Sequence, residues 1–174
     1  KAENLDEILD LFEKYEGLPY TMAWIDCLKS GRYYGRSILI AGDHAKKSDL
    51  SAKQETKLLK PTGKGNITMP FNLPSFTLNT WSIKAFNALY YAKNTKKHIN
   101  SITHYEPFFY PLDAILHWNR MYGKRGFLQY QFVLPLKNGR EGLIKILERI
   151  RKKGYGSFLA VLKLFGEQND LISF

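Results

Sequence analysis

Two glutamines and one lysine are the residues of this sequence best suited to bind a polar small molecule. Gln129 and Gln131 alternate with large apolar residues in the segment 127–134, so a β-strand there would carry both amides on one face. Lys163 lies in a second apolar segment, 157–165, and is also flanked by apolar residues two positions away. If the two faces belong to one sheet surface, they offer hydrogen-bonding amides and one positive charge between apolar walls. That is the composition of a small-molecule pocket.

The same alternation is also typical of a sheet face that is simply exposed to solvent, where Gln and Lys are common. Val161 and Phe165 share the alternating positions with Lys163 and would be its apolar neighbours on that face. The pattern therefore predicts which residues share a face. It leaves open whether that face binds a ligand.

Metal chemistry and disulfide chemistry are not indicated by the remaining reactive residues. Cys27 is the only cysteine, which excludes a disulfide framework and a cysteine-based zinc module. No Cys–His pair is apparent, and the four histidines show no spacing typical of metal ligands. We therefore expect Cys27 to be a buried structural thiol and expect no metal site.

The elements that must position these residues indicate an α+β fold, a sheet with helices packed on one face. The first helix is expected to follow Asn4 as its N-cap and to stop before Gly17. The other predicted helices cover 80–93, 111–122 and 141–153, and the predicted strands cover 20–27, 37–41, 127–134 and 157–165. The last two strands would be joined by a right-handed crossover or would lie on either side of another strand.

Three groups of basic residues account for much of the net charge of +10. The first lies in the Lys-rich segment 42–75, which is rich in Pro and Gly and is either disordered or a functional loop. The second is Lys93, Lys96 and Lys97, and the third is Arg149, Arg151, Lys152 and Lys153. These groups are typical of solvated faces, and an anionic partner such as nucleic acid or lipid is the alternative. No recognised nucleic-acid-binding motif accompanies them.

The length of 174 residues favours about one domain. No segment approaches the roughly 20 apolar residues that a membrane-spanning helix needs, and the N-terminus does not have the pattern of a signal peptide. The chain lacks an initiator Met and stops in an apolar run at 171–174. We therefore expect a fragment excised from a longer protein that is not secreted.

Several short segments, in a fixed order, closely resemble the family of the oxidase component of decaprenylphosphoryl-β-D-ribose 2′-epimerase. The resemblance extends from Tyr20 to the C-terminus, apart from the central Lys-rich segment. The matching segments are 23–26, Gly35-Arg36, 109–113, Trp118-Asn119-Arg120, Tyr122-Gly123, 126–135, 162–166 and 172–174.

The resemblance implies a flavoenzyme of the vanillyl-alcohol oxidase superfamily. Residues 1–174 would form its substrate (cap) domain, a mostly antiparallel sheet that covers the flavin. The FAD-binding domain and the C-terminal end of the enzyme would lie outside this chain, and the fragment alone would be inactive. The implied reaction is hydride transfer from a sugar carbinol carbon to FAD, at the 2′-hydroxyl of a polyprenyl-phosphate ribose.

The resemblance also assigns pocket residues, position by position. Gln129 and Gln131 would face the flavin and bind sugar hydroxyls. Lys163 and Gln131 would orient the substrate for catalysis. The full set of implied substrate-binding residues is Trp24, Tyr110, Gln129, Gln131, Val161, Lys163 and Phe165. One departure concerns Tyr110: mycobacterial members carry Tyr-His where this chain has Phe109-Tyr110, which shifts a phenolic hydroxyl by one position.

The implied partners are the polyprenyl-phosphate sugar and an NAD(P)H-dependent reductase that completes the epimerisation, with no nucleic acid. The Lys-rich segment would be a lid or a contact for lipid phosphate, in a protein that is cytoplasmic or peripheral at the inner membrane. An aldonolactone or sugar-alcohol oxidase is the alternative for substrate. A basic module that binds nucleic acid or anionic lipid is the alternative from a different class.

Overall fold

A computed structural model of the chain describes residues 1–56, 58, 60 and 67–166. The chain divides into two compact units. The first unit comprises 1–43, 80–98 and the chain from 132 onward, and the second comprises 44–79 and 99–131. The apolar run at 171–174, the matching segment 172–174 and part of the Lys-rich segment (57, 59 and 61–66) lie outside the described residues.

The described residues form five α-helices and five strands. The helices are α1 (Leu5–Lys14), α2 (Ala52–Glu55), α3 (Thr80–Lys93), α4 (Tyr105–Phe109) and α5 (Leu136–Lys153). The strands are β1 (Tyr20–Ile25), β2 (Ser37–Gly42), β3 (Ile67–Thr68), β4 (Ile115–Leu116) and β5 (Val161–Leu162). The α+β class expected from the sequence is confirmed.

The sheet of the first unit has the strand order β2-β1-β5 and is antiparallel throughout. Because side chains alternate along β1, Ala23 and Ile25 share one face and Trp24 points to the other. Trp24 is paired with Ile38 on β2, which places both residues on the same face. The predicted alternation in 20–25 is therefore confirmed.

Apolar side chains pack on both faces of this sheet. On the Ala23 and Ile25 face the core is completed by α1 and α5. On the opposite face, Trp24 and Ile38 pack against Tyr91 of α3, so helices lie on both faces of the sheet and not on one face as the sequence predicted. The buried residues of the larger cluster are Ala2, Leu5, Ile8, Phe12, Ala23, Ile25, Cys27, Leu28, Leu143 and Leu147.

The first helix begins where the sequence predicts. The Asn4 side chain accepts a hydrogen bond from the Glu7 N–H at 2.9 Å, which satisfies one of the free donors at the start of α1. The helix predicted over 80–93 is present as α3. An apolar stripe of Trp81, Ala85, Ala88 and Tyr91 was expected to face inward, but the buried residues are Asn87 and Tyr91, and Trp81 is 80% exposed. The apolar residues of α3 lie on all sides of the helix. The spacing of apolar residues in the sequence therefore did not indicate which side of α3 faces the core.

The strand predicted over 127–134 is absent. This segment has no ladder partner, and Leu128 and Tyr130, two of the large apolar residues that alternate with the glutamines, are almost fully exposed. Only Val161 and Leu162 of the predicted strand 157–165 pair with another strand, and they pair with β1. The crossover and the split arrangement are therefore both wrong: alternation selects a face but supplies no neighbouring strand.

The helix predicted over 141–153 starts five residues earlier, at Leu136, directly after Pro135, whose φ of −58° suits the start of a helix. The helix predicted over 111–122 is wrong. Two 3₁₀ turns, Pro111–Ala114 and Trp118–Tyr122, flank β4 instead. His117 lies between them in the left-handed region, with φ of 56°, and this interrupts regular helix geometry.

In the second unit, β3 and β4 form a short parallel pair. The Arg120 side chain donates hydrogen bonds to the carbonyls of Met69 (2.8 Å) and Pro70 (3.1 Å), which holds the chain after β3 against the turn after β4. Within the described residues, no helix is long and apolar enough to span a membrane.

Candidate functional site

The β1–β5 ladder brings two of the predicted site residues together. Trp24 and Val161 are direct cross-strand partners, so their side chains lie on the same face of the sheet. The Trp24 indole N–H donates to the Phe158 carbonyl at 2.9 Å, which fixes the ring against the chain that leads into β5. Trp24 is 6% exposed, whereas Val161 is 48% exposed. On this face, Trp24 is therefore buried beside Val161, and Val161 is partly exposed to solvent.

A row of three further aromatic rings begins next to Trp24, and we call the four residues the ring cluster: Trp24, Phe86, Tyr90 and Phe158. The Tyr90 ring lies 4.8 Å from the Trp24 ring, and Phe86 contacts both Tyr90 (6.0 Å) and Phe158 (5.5 Å, edge to face). Such pairs stabilise one fixed arrangement of rings. Phe86, Tyr90 and Phe158 were not predicted from the sequence as site residues. The one signal for them was the spacing of Phe86 and Tyr90, which are four residues apart on α3 and therefore lie on one side of the helix.

Lys163 and Phe165 continue the exposed face that begins at Val161. Leu162 and Leu164 pack against the core, while the three residues at the alternate positions are exposed. The predicted sharing of one face by Val161, Lys163 and Phe165 therefore agrees with the burial pattern. The face carries a primary ammonium between two half-exposed apolar side chains, which suits a ligand with both polar and apolar surface.

The other predicted site residues belong to the second unit. Gln129 and Gln131 are exposed in a segment that is neither helix nor strand, so the flat strand face expected for them is absent. Tyr110 caps the end of α4, where its backbone N–H donates to the Glu106 carbonyl at 2.8 Å, and its side chain is 56% exposed.

A buried polar network holds the segment that precedes β5. Asp26 follows β1, and its carboxylate accepts hydrogen bonds from Arg36 (2.9 Å) and from the Asn87 amide of α3 (3.0 Å). The Asn87 amide also donates to the Ser157 carbonyl at 3.3 Å. Asn87 therefore links the end of β1 to the chain that carries Phe158 and Val161. Asp26 and Arg36 both lie in segments that resemble the family, but their pairing was not predicted from the sequence.

Cys27 lies beside this network and is 5% exposed, in agreement with the predicted structural thiol. Burial raises the pKa of the Cys27 thiol above its ordinary value, with a smaller contribution from the charge of Asp26, while contact with the Ser157 backbone opposes the shift. The protonated thiol is therefore favoured near neutral pH. Within 1–56, 58, 60 and 67–166, no group of His, Cys, Asp and Glu is arranged to hold a metal ion.

The chain is similar to a known protein over most of its own length. No family model matches the chain. The chain is 35% identical over 151 residues to decaprenylphosphoryl-beta-D-ribose oxidase of Mycolicibacterium smegmatis, an alignment that covers 87% of this chain and 32% of that protein. The chain thus spans about a third of the length of the curated relative it matches. Over most of its own length, this chain is therefore similar to one part of a decaprenylphosphoryl-ribose oxidase.

Proposed function

We propose that this chain is the substrate domain of an FAD-dependent oxidoreductase that oxidises a sugar hydroxyl, specifically the 2′-hydroxyl of a polyprenyl-phosphate ribose. The observation that carries the proposal is the 35% identity over 151 residues to an oxidase named for that class of sugar. On this proposal the chain is the cap domain, and the FAD-binding domain belongs to another part of a longer protein.

The exposed face of Val161, Lys163 and Phe165 supports a substrate-binding role. The two apolar side chains are each about half exposed and offer a surface for the ring of a sugar or a cofactor. The Lys163 ammonium can donate up to three hydrogen bonds to hydroxyl or phosphate oxygens. A residue in this position orients the reacting carbon and stabilises negative charge that develops on the sugar oxygen.

The described residues fit contact with a flavin ring better than with the rest of FAD. Val161 and Phe165 offer apolar surface to such a ring, and Trp24 of the ring cluster lies beside Val161 on the same face. When bound, the flavin supplies the acceptor for the hydride. This chain would contribute orientation of the sugar and exclusion of water. Gln129 and Gln131 keep their proposed role as amide partners of flavin and sugar, and Gln131→Leu tests that role separately.

The first experiment uses the intact protein that contains this chain. We expect a bound flavin spectrum after extensive dialysis, and we expect anaerobic addition of a polyprenyl-phosphate ribose to bleach it. Lys163→Met should lower kcat with flavin content unchanged, since the lysine acts on the substrate. Lys137→Met, which removes another exposed lysine from α5, is the matched control and should leave kcat unchanged.

Each contrary result has a definite meaning. A protein without flavin, even after incubation with FAD, would overturn the proposed function and favour a basic binding module. Flavin that is bleached by aldonolactones or sugar alcohols and not by the ribose would retain the oxidoreductase and overturn the substrate. Unchanged kinetics in Lys163→Met would remove Lys163 from the site.

Two partners are proposed on the same basis, namely an NAD(P)H-dependent reductase and the cytoplasmic surface of the inner membrane. The exposed lysines of the Lys-rich segment support the second, because polybasic segments bind anionic lipid at roughly 1 kcal/mol per residue. Sedimentation with anionic vesicles tests it: replacing Lys46, Lys47 and Lys53 by Gln should reduce the bound fraction, and an unchanged fraction would contradict membrane contact.

A further inference from the structure

A surface cleft of about 520 Å³ lies in the first unit, beside the start of α1, the loop between β1 and β2, and one side of α5. Three of its lining residues are arginines, one from that loop and two from α5: Arg32, Arg140 and Arg151. The cleft is on the side of the sheet that α1 and α5 cover. The face of Trp24 and Val161 is on the other side, so the cleft is separate from the candidate site.

Two of the arginines already have carboxylate partners, but these pairs are exposed. Arg32 pairs with Glu3 at 3.2 Å, and the Arg140 Nε lies 3.1 Å from Asp6 Oδ1. The side chains of Arg32 and Arg140 are 72% and 60% exposed. Exposed pairs of this kind contribute little to stability, so an incoming anion can replace the carboxylates at small cost.

Arg151 differs from the other two. Its side chain is partly buried in the cleft wall, and its Nε is buried without a hydrogen-bond partner. No carboxylate among the described residues forms an ion pair with it. The buried Nε is out of reach of a ligand, so the terminal nitrogens would contact an anion in the cleft. A partly desolvated guanidinium without a carboxylate partner is a strong partner for such an anion.

We propose that this cleft binds a phosphate monoester on a small molecule. Asp6 and Glu148 also line the cleft, so three positive and two negative side chains face the ligand. A dianionic phosphate gains more from three guanidiniums than a carboxylate does, and the planar donors of arginine match phosphate oxygens. The start of α1 contributes little, because Asn4 already caps it.

The volume and the lining residues of the cleft indicate a ligand larger than a phosphate ion. Its volume lies within the range of roughly 300 to 1,000 Å³ typical of small-molecule sites. Tyr34 and Ile144 form part of the lining, and the Tyr34 hydroxyl donates to the Ile144 carbonyl at 2.9 Å, which holds the ring in place. A sugar-sized group attached to the phosphate can therefore contact a fixed aromatic ring.

Calorimetric titration of the intact protein tests the proposal, with inorganic phosphate, ribose 5-phosphate and vesicles containing phosphatidic acid as the three probes. We expect ribose 5-phosphate to bind more tightly than inorganic phosphate. Arg151→Gln should weaken that binding at least about tenfold. Lys152→Gln removes the same charge from the adjacent exposed residue outside the cleft and should leave the dissociation constant unchanged.

The same titration can overturn the proposal. Absence of ribose 5-phosphate binding, binding to the vesicles alone, or equal losses in Arg151→Gln and Lys152→Gln would each do so. If Arg151→Gln does not fold, Arg140→Gln replaces it, since the Arg140 side chain is exposed and tolerates substitution. The binding readout is independent of catalysis, so failure of the proposed oxidase function leaves this test intact.

Discussion

Asp26 and Arg36 form a buried ion pair across the two ends of the β1–β2 loop. A terminal guanidinium nitrogen of Arg36 lies 2.8 Å from Asp26 Oδ2, and the two side chains are 10% and 3% exposed. The backbone repeats this contact, because the Asp26 N–H donates to the Arg36 carbonyl at 3.0 Å. The guanidinium also lies over the Tyr91 ring, 4.6 Å from its centroid. The pair thus connects the end of β1, the start of β2 and α3.

Removing one member of this pair should be strongly destabilising. Arg36→Met leaves the Asp26 carboxylate buried without its cation, and we expect a loss of about 3–5 kcal/mol in the free energy of unfolding measured by urea denaturation. Arg32→Met, which breaks the exposed pair with Glu3, is the control and should change stability little. Equal effects of the two substitutions would show that the buried pair has no special role.

Asn87 should stabilise both the sheet and the approach to β5. Asn87→Leu keeps a similar volume but removes the donors to Asp26 and Ser157, and we expect a loss of about 1–3 kcal/mol. Amide hydrogen exchange should become faster around Val161, because the preceding segment loses its tether. Asn138→Leu on the exposed surface of α5 should alter neither quantity. Unchanged exchange in Asn87→Leu would contradict the tether.

The Cys27 thiol should react slowly in the folded protein. Because burial raises its pKa above the ordinary 9.0, little thiolate forms near about pH 8, and access is also restricted. For an acid whose pKa is raised on folding, ionisation favours the unfolded state as the pH rises above the unfolded value. We expect reaction with a thiol-specific disulfide reagent to be much slower in native than in urea-unfolded protein, with the native rate still rising above pH 9. Equal rates would contradict burial of the thiol.

Gly123 should be intolerant of any side chain. Its φ of 67° and ψ of −166° are accessible almost only to glycine, and an added Cβ would lie 2.4 Å from the Leu73 carbonyl oxygen. Gly126 also has a positive φ, of 69°, but an added Cβ there would meet nothing within 4 Å. Gly123→Ala should therefore accelerate limited proteolysis of the second unit more than Gly126→Ala. Similar rates would mean that backbone strain alone determines the effect.

The sequence predicted those parts of the fold where local periodicity and burial agree. The strand 20–25 was predictable because its residues alternate between two faces, and the structure supplies a neighbouring strand on each side of it. The segment 127–134 has an equally clear alternation but no strand beside it, and a missing partner leaves no trace in local sequence. The sequence correctly predicted that the alternate residues of 161–165 share one exposed face. This is because Leu162 and Leu164 pack against the core even beyond the last strand pair.

For the candidate site, the sequence predicted individual residues but not which of them are in contact. Trp24 and Val161 were matched individually, but their contact requires the β1–β5 register, which depends on residues far apart in the chain. Phe86 and Tyr90 belong to a helix whose apolar residues do not select one side. The pairing of Asp26 with Arg36 follows only once the last β1–β2 pair, Ile25 with Ser37, is known.

The Asp26–Arg36 pair lies at the point where the β1–β2 loop joins the two strands. The length and sequence of the loop can therefore change during evolution without a change in the sheet. Strand register is set at the pair, so an insertion or deletion between Cys27 and Gly35 changes the loop without shifting any residue of β1 or β2. That loop supplies Arg32 and Tyr34 to the arginine-lined cleft. Relatives of this protein can therefore gain, lose or reshape the cleft while the face that carries Trp24 stays in register.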